Sequence, residues 1–132
     1  MKKEIFIEND HPDSLSVKAR LRSFRYAIDG LNSFFATQHN AIIHLLMTIL
    51  ALAGAVFFRV SRGEAISIVL SVGLVWLAEL FNTAIEKLCD VVSKEYHPAI
   101  KFIKDVSAAA VLVSAITAFV TGAIVFLPKL LA

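Results

Sequence analysis

Glu79-Leu80-Phe81-Asn82-Thr83-Ala84-Ile85-Glu86-Lys87-Leu88-Cys89-Asp90 follows directly on residues 65–78, a run with no charged side chain. Glu79, Asn82, Glu86 and Asp90 are spaced by 3, 4 and 4 residues. At about 3.6 residues per turn that spacing gathers all four side chains into one arc of a helix, and at about 1.5 Å rise per residue the stripe is roughly 16 Å long. Three carboxylates and an amide on one face are costly in or beside a bilayer, and polar groups kept there at such cost mark a functional site.

Outward from this stretch the chain is apolar. Of 132 residues, 58% are hydrophobic and only 18% charged, and the apolar ones fall in segments too long for an ordinary soluble core. Residues 41–58 hold no formal charge and are interrupted only by His44 and Thr48; residues 106–127 are uninterrupted and end at Pro128 and Lys129. With the run through Glu79 these make three segments able to cross a bilayer, about 41–58, 65–88 and 105–127. Residues 59–64 and 91–103 read as the connections. The expected class is therefore an all-α integral membrane protein. The lone Cys89 excludes an intrachain disulfide and reads as a packing residue. A net charge of +2 decides little by itself, and no nucleic-acid partner is expected.

Residues 1–13 are polar and aperiodic, which predicts a flexible tail, and nothing there resembles a cleavable signal. From about Ser14 to Thr37 the residues Val17, Leu21, Phe24, Ile28, Leu31 and Phe35 recur at steps of 4 and 3, opposite Lys18, Arg20, Arg22, Arg25 and Asp29. This pattern predicts an amphipathic helix lying on the membrane surface rather than a coiled-coil strand. The N-terminal region carries six Lys and Arg and residues 86–104 carry four, whereas Arg59, Arg62 and Lys129 are alone on the other side. Ten against three places the N-terminus and the acidic stripe in the cytoplasm, in a multi-pass protein of the cytoplasmic membrane.

Carboxylate and amide oxygens are hard ligands suited to Mg²⁺, which is usually held together with substrate phosphates. A carboxylate away from the metal can accept a proton from a hydroxyl nucleophile. Lys104 and Asp105, at the start of the third span, bring a cation for phosphate oxygens near the stripe. Together these residues point to metal-dependent phosphoryl transfer at a membrane surface. No Gly-x-x-x-x-Gly-Lys-Ser/Thr loop is present, which excludes a soluble-type phosphate cradle. The rival reading is a small oligomeric ion or proton pathway, which buried carboxylates also line; it has no use for Lys104-Asp105 or Glu95-Tyr96-His97. His44 reads as a packed or hydrogen-bonded histidine, and Tyr96 suits an interfacial position better than Trp76, which lies inside its span. The row Ser114, Ala118 and Gly122, with Gly54 and Gly73, suits close helix packing within one protomer as well as between subunits.

At these residues the chain resembles the small prokaryotic diacylglycerol kinases and undecaprenol kinases, over roughly residues 20–127. The family pattern Glu-x-x-Asn-Ser/Thr-Ala-Ile-Glu-x-x-x-Asp is met by Glu79, Asn82, Thr83, Ala84, Ile85, Glu86 and Asp90. A second block is met by Glu95-Tyr96-His97 and Lys104-Asp105, and a third by Ser23-Phe24-x-Tyr26-Ala27-x-x-Gly30. The resemblance implies a homotrimer with three membrane helices and a surface helix per protomer, active sites shared between neighbours, and transfer of the ATP γ-phosphate to a lipid hydroxyl. It implies Glu79 as general base and Glu86 as a Mg²⁺ ligand, with Tyr26, Asn82, Asp90, Tyr96, His97, Lys104 and Asp105 on the nucleotide side. Where the family has a second metal-binding glutamate in a Glu-x-Asn setting, this chain reads Gln38-His39-Asn40. Gln38 in the metal position is a weaker Mg²⁺ ligand than a carboxylate, so either metal affinity is reduced, His39 or Asp29 compensates, or activity is impaired. The segment Thr37-Gln38-His39-Asn40 followed by His44 is more similar to the undecaprenol kinase branch.

Overall fold

The computed structural model describes residues 16–131, and every regular element among them is helical: α1 (Val17–Thr37), α2 (His39–Phe57), α3 (Arg62–Val92) and α4 (Pro98–Leu130). The expected tail, residues 1–13, and the first two residues of the expected N-terminal helix lie outside the described residues. The chain divides into two units at the Ala36–Thr37 boundary. On α1, in the first unit, the periodic residues Val17, Leu21, Phe24, Ile28, Leu31 and Phe35 are all exposed. The second unit holds α2, α3 and α4, each long and apolar enough to cross a membrane.

Local sequence sets where these helices begin and end. Ser61 caps α3 reciprocally: its hydroxyl accepts from Glu64 N–H at 3.3 Å, and the Glu64 carboxylate accepts from Ser61 N–H at 2.6 Å. Two otherwise unpaired donors are satisfied this way. Pro98 occupies the first turn of α4, where its missing N–H costs nothing, and the His97 ring nitrogen Nδ1 accepts from Ala99 N–H at 3.2 Å. The turn after α2 closes with Arg59 N–H on Val56 O at 3.2 Å and Val60 N–H on Ala55 O at 3.1 Å, which requires Arg59 at φ 48°.

The helices extend beyond the expected spans: α3 runs from 62 to 92 and α4 starts at 98, so the connection between them is only residues 93–97. A helix satisfies its own backbone and continues past the edge of the apolar run until a cap stops it. α4 likewise continues through Pro128 to Leu130. In the last turn a proline removes only one intrahelical bond.

α3 and α4 share the most extensive packing. Ser71, Val75, Glu79 and Cys89 on α3 and Ser107, Ser114 and Val125 on α4 are buried. Lys129 pairs with Glu64 at 3.0 Å at one end of this hairpin, and Lys104 pairs with Asp90 at 2.6 Å at the other. α2 packs more sparsely. Its Gly54 lets the Phe126 ring of α4 come within 3.3 Å of where a Cβ would stand, and Phe58 lies against the same ring, centroids 6.0 Å apart. Much of its apolar surface, including Ile42, Leu46, Ile49 and Leu50, is exposed.

Candidate functional site

The acidic stripe is helical throughout, but its four side chains do not share one neighbour. Glu79 faces α2. Its side chain is only 5% exposed, and Oε1 lies 2.7 Å from His44 Nε2, itself 19% exposed. When Glu79 is ionised its carboxylate can only accept, and Nε2 is then the donor of this bond. One turn along α2, the Thr48 hydroxyl donates to the His44 carbonyl at 2.7 Å and accepts from the indole N–H of Trp76 at 3.1 Å. The Trp76 and His44 rings meet edge to face, centroids 6.3 Å apart. Trp76 therefore belongs to the seam between α2 and α3. His44 is hydrogen-bonded, as the sequence reading expected, but its partner was not legible in the sequence.

Asn82 and Asp90 face α4. Asn82 is a two-sided link: its Oδ1 accepts from the Ser107 hydroxyl at 2.7 Å, and its Nδ2 donates to Glu86 Oε1 at 3.2 Å. Ser107 also reaches the Lys104 carbonyl at 2.9 Å. One turn beyond Glu86, Asp90 accepts from Lys104. Lys104 thus ties the two helices together, and its ammonium keeps two further N–H donors for another anion. Asp105 pairs with Lys101 one turn away on α4. Tyr96 and His97 occupy the short α3–α4 connection, both exposed, with His97 capping α4. Tyr26 is exposed on α1, in the other unit.

Gln38 is the N-cap of α2, with φ −110°, ψ 107° and no side-chain capping bond. The two contacts between α2 and α3 define its register. With Thr48 opposite Trp76 in antiparallel helices, ten residues back from Thr48 is Gln38 and ten forward from Trp76 is Glu86. By that count the sequence register matches Gln38 with Glu86. Among the described residues no three His, Cys, Asp or Glu side chains converge as a metal cluster.

Comparison with known proteins gives a consistent result. The sequence matches the family described as "Prokaryotic diacylglycerol kinase" over residues 25–126. It is 38% identical over 112 residues to a diacylglycerol kinase of Synechocystis sp., a match covering 84% of this chain and 64% of that protein, so the chain spans less than two thirds of this relative's length. It is 33% identical over 121 residues to the undecaprenol kinase of Bacillus subtilis, covering 92% of this chain and 97% of that protein. A diacylglycerol kinase of Escherichia coli is 35% identical over 104 residues, covering 79% and 85% of the two chains. The chain belongs to the prokaryotic diacylglycerol kinase family.

Proposed function

We propose that the chain is an integral-membrane kinase that transfers the γ-phosphate of ATP to the hydroxyl of a membrane lipid alcohol, with Glu79 accepting the hydroxyl proton. The observation that carries this reading is the depth of the stripe along α3. A helix of 31 residues is about 46 Å long, whereas the hydrocarbon layer is about 30 Å thick. The pairing of Glu64 with Lys129 marks one polar end. Measured from Arg62, Glu79 lies about 26 Å along the axis, Glu86 about 36 Å and Asp90 about 42 Å. On that scale Glu79 sits just inside the apolar layer, at the depth of a lipid hydroxyl, and Glu86 and Asp90 project into water where ATP is soluble. Lys and Arg asymmetry puts that end in the cytoplasm.

The spacing suits the chemistry. About 10 Å separates the levels of Glu79 and Glu86. A hydroxyl hydrogen-bonded to Glu79 at about 2.7 Å, with a phosphorus about 3–3.5 Å beyond it, fits in that interval. Glu79 takes the proton as the bond to phosphorus forms, and Lys104 offers its remaining donors to phosphate oxygens that gain charge. Asn82 holds Glu86, Asp90 holds Lys104, and Tyr96, His97 and Asp105 are assigned to the nucleotide side, with Tyr26 assigned there by the family resemblance alone. Glu86 and Gln38 fit as the holders of Mg²⁺, since both present hard oxygens and the sequence register matches them. Magnesium bound there with ATP would neutralise phosphate charge. The surface position of α1, a homotrimer and sites shared between its protomers complete the reading, supported by the exposed apolar faces of α1 and α2.

The acceptor is a diacylglycerol or undecaprenol, both of which offer a hydroxyl on an apolar chain at the same interface. Purified protein in detergent, given ATP and each lipid side by side, is expected to phosphorylate at least one of them and to rank the two. Absence of a phosphorylated product from any lipid alcohol would overturn the assignment.

A further inference from the structure

We propose that His44 is a positioning residue for Glu79, gripping one carboxylate oxygen so that the other is presented to the lipid hydroxyl. This rests on the reading of Glu79 as the base. Among the described residues His44 is the only hydrogen-bond partner of Glu79, and Oε2 is not bonded. A buried charge is tolerated only when it is hydrogen-bonded, and α2 provides that bond from 35 residues away in the chain. The imidazole is itself held. Thr48 ties down its backbone carbonyl, the indole N–H of Trp76 fixes Thr48, and the Trp76 ring closes one edge of the imidazole. A clasp between helices needs only one such bond, whereas this chain of contacts fixes the direction in which the carboxylate points. Errors of about 1 Å in such a position cost about 100-fold in rate.

Steady-state kinetics of purified His44→Leu and His44→Gln test this. His44→Leu is expected to lower kcat about 100-fold while the KM values for ATP and lipid stay within about 2-fold. His44→Gln, whose amide N–H can still donate to Glu79, is expected to recover at least about a tenth of the wild-type kcat. Near wild-type kcat in His44→Leu would overturn the proposal, as would equal losses in both variants that track thermal stability. Where His44→Leu does not assemble, His44→Asn replaces it, because its amide is one methylene too short to reach Glu79. Equal kcat in His44→Asn and His44→Gln then overturns the proposal. Glu79→Gln separates the two levels. If it retains activity, the base assignment itself fails; if it is inactive while His44→Leu is fully active, only the positioning role fails.

Discussion

Replacing Asn82 with leucine isolates what its two hydrogen bonds do. The side chains are similar in size, and leucine removes both the acceptor for Ser107 and the donor to Glu86. The Ser107 hydroxyl keeps a partner in the Lys104 carbonyl at 2.9 Å, so no buried donor is orphaned. An interhelical bond in a membrane protein contributes about 0.6 kcal/mol, with a maximum of about 1.7. The bond to half-buried Glu86 adds about 1 kcal/mol. The variant should therefore lose only about 2 kcal/mol and remain folded. The effect on Glu86 is larger, because its carboxylate loses the group that sets its orientation. Loss of such a partner behind a ligating carboxylate typically costs about 10- to 100-fold in metal affinity. A magnesium titration of lipid kinase activity, run beside thermal unfolding, should show the half-saturating Mg²⁺ rising at least about 10-fold. An unchanged magnesium requirement in a mildly destabilised protein would show that Asn82 merely fastens α3 to α4 and that Glu86 does not hold the metal.

Four other substitutions address the remaining parts. Lys104→Met and Asp90→Asn break the same ion pair, but only the first removes the cation offered to phosphate; kcat should fall about 100-fold in Lys104→Met and less than about 10-fold in Asp90→Asn, and equal losses would reduce the pair to a helix tie. Gln38→Glu supplies a second carboxylate in register with Glu86 and should lower the half-saturating Mg²⁺ several-fold in the same titration; no change would separate Gln38 from the metal position. Arg59→Gly relieves a side chain at φ 48° and should stabilise the fold by about 1 kcal/mol in thermal unfolding, with unaltered kcat.

The run of uncharged residues and the 3-4-4 spacing of Glu79, Asn82, Glu86 and Asp90 sufficed to read three long helices and a one-faced polar stripe, because both depend on local periodicity. Which neighbour each stripe residue meets depends on register between helices, and no local pattern encodes it. Glu79 therefore turned out to face His44 on α2, whereas Asn82 and Asp90 face Ser107 and Lys104 on α4. Helix ends lie outside the expected spans for a related reason. Hydropathy reports where the apolar layer stops, but Ser61 with Glu64, and His97 with Pro98, determine where α3 and α4 begin. Lys101, read as part of the connection, consequently stands on the first turn of α4, ahead of Lys104 and Asp105. Lys104 was legible as a cation near the stripe, but its bond to Asp90 was not.

The most direct measurement follows the γ-phosphate itself. Purified protein and Glu79→Gln, matched for helix content and oligomeric state, are incubated with magnesium, γ-labelled ATP and each lipid alcohol, and the label in the lipid fraction is counted. The wild type should label a lipid, and Glu79→Gln should do so at least about 100-fold more slowly, as loss of a general base requires. Equal labelling by the two proteins would contradict the role assigned to Glu79, and the absence of labelled lipid from the wild type would contradict the kinase reading as a whole.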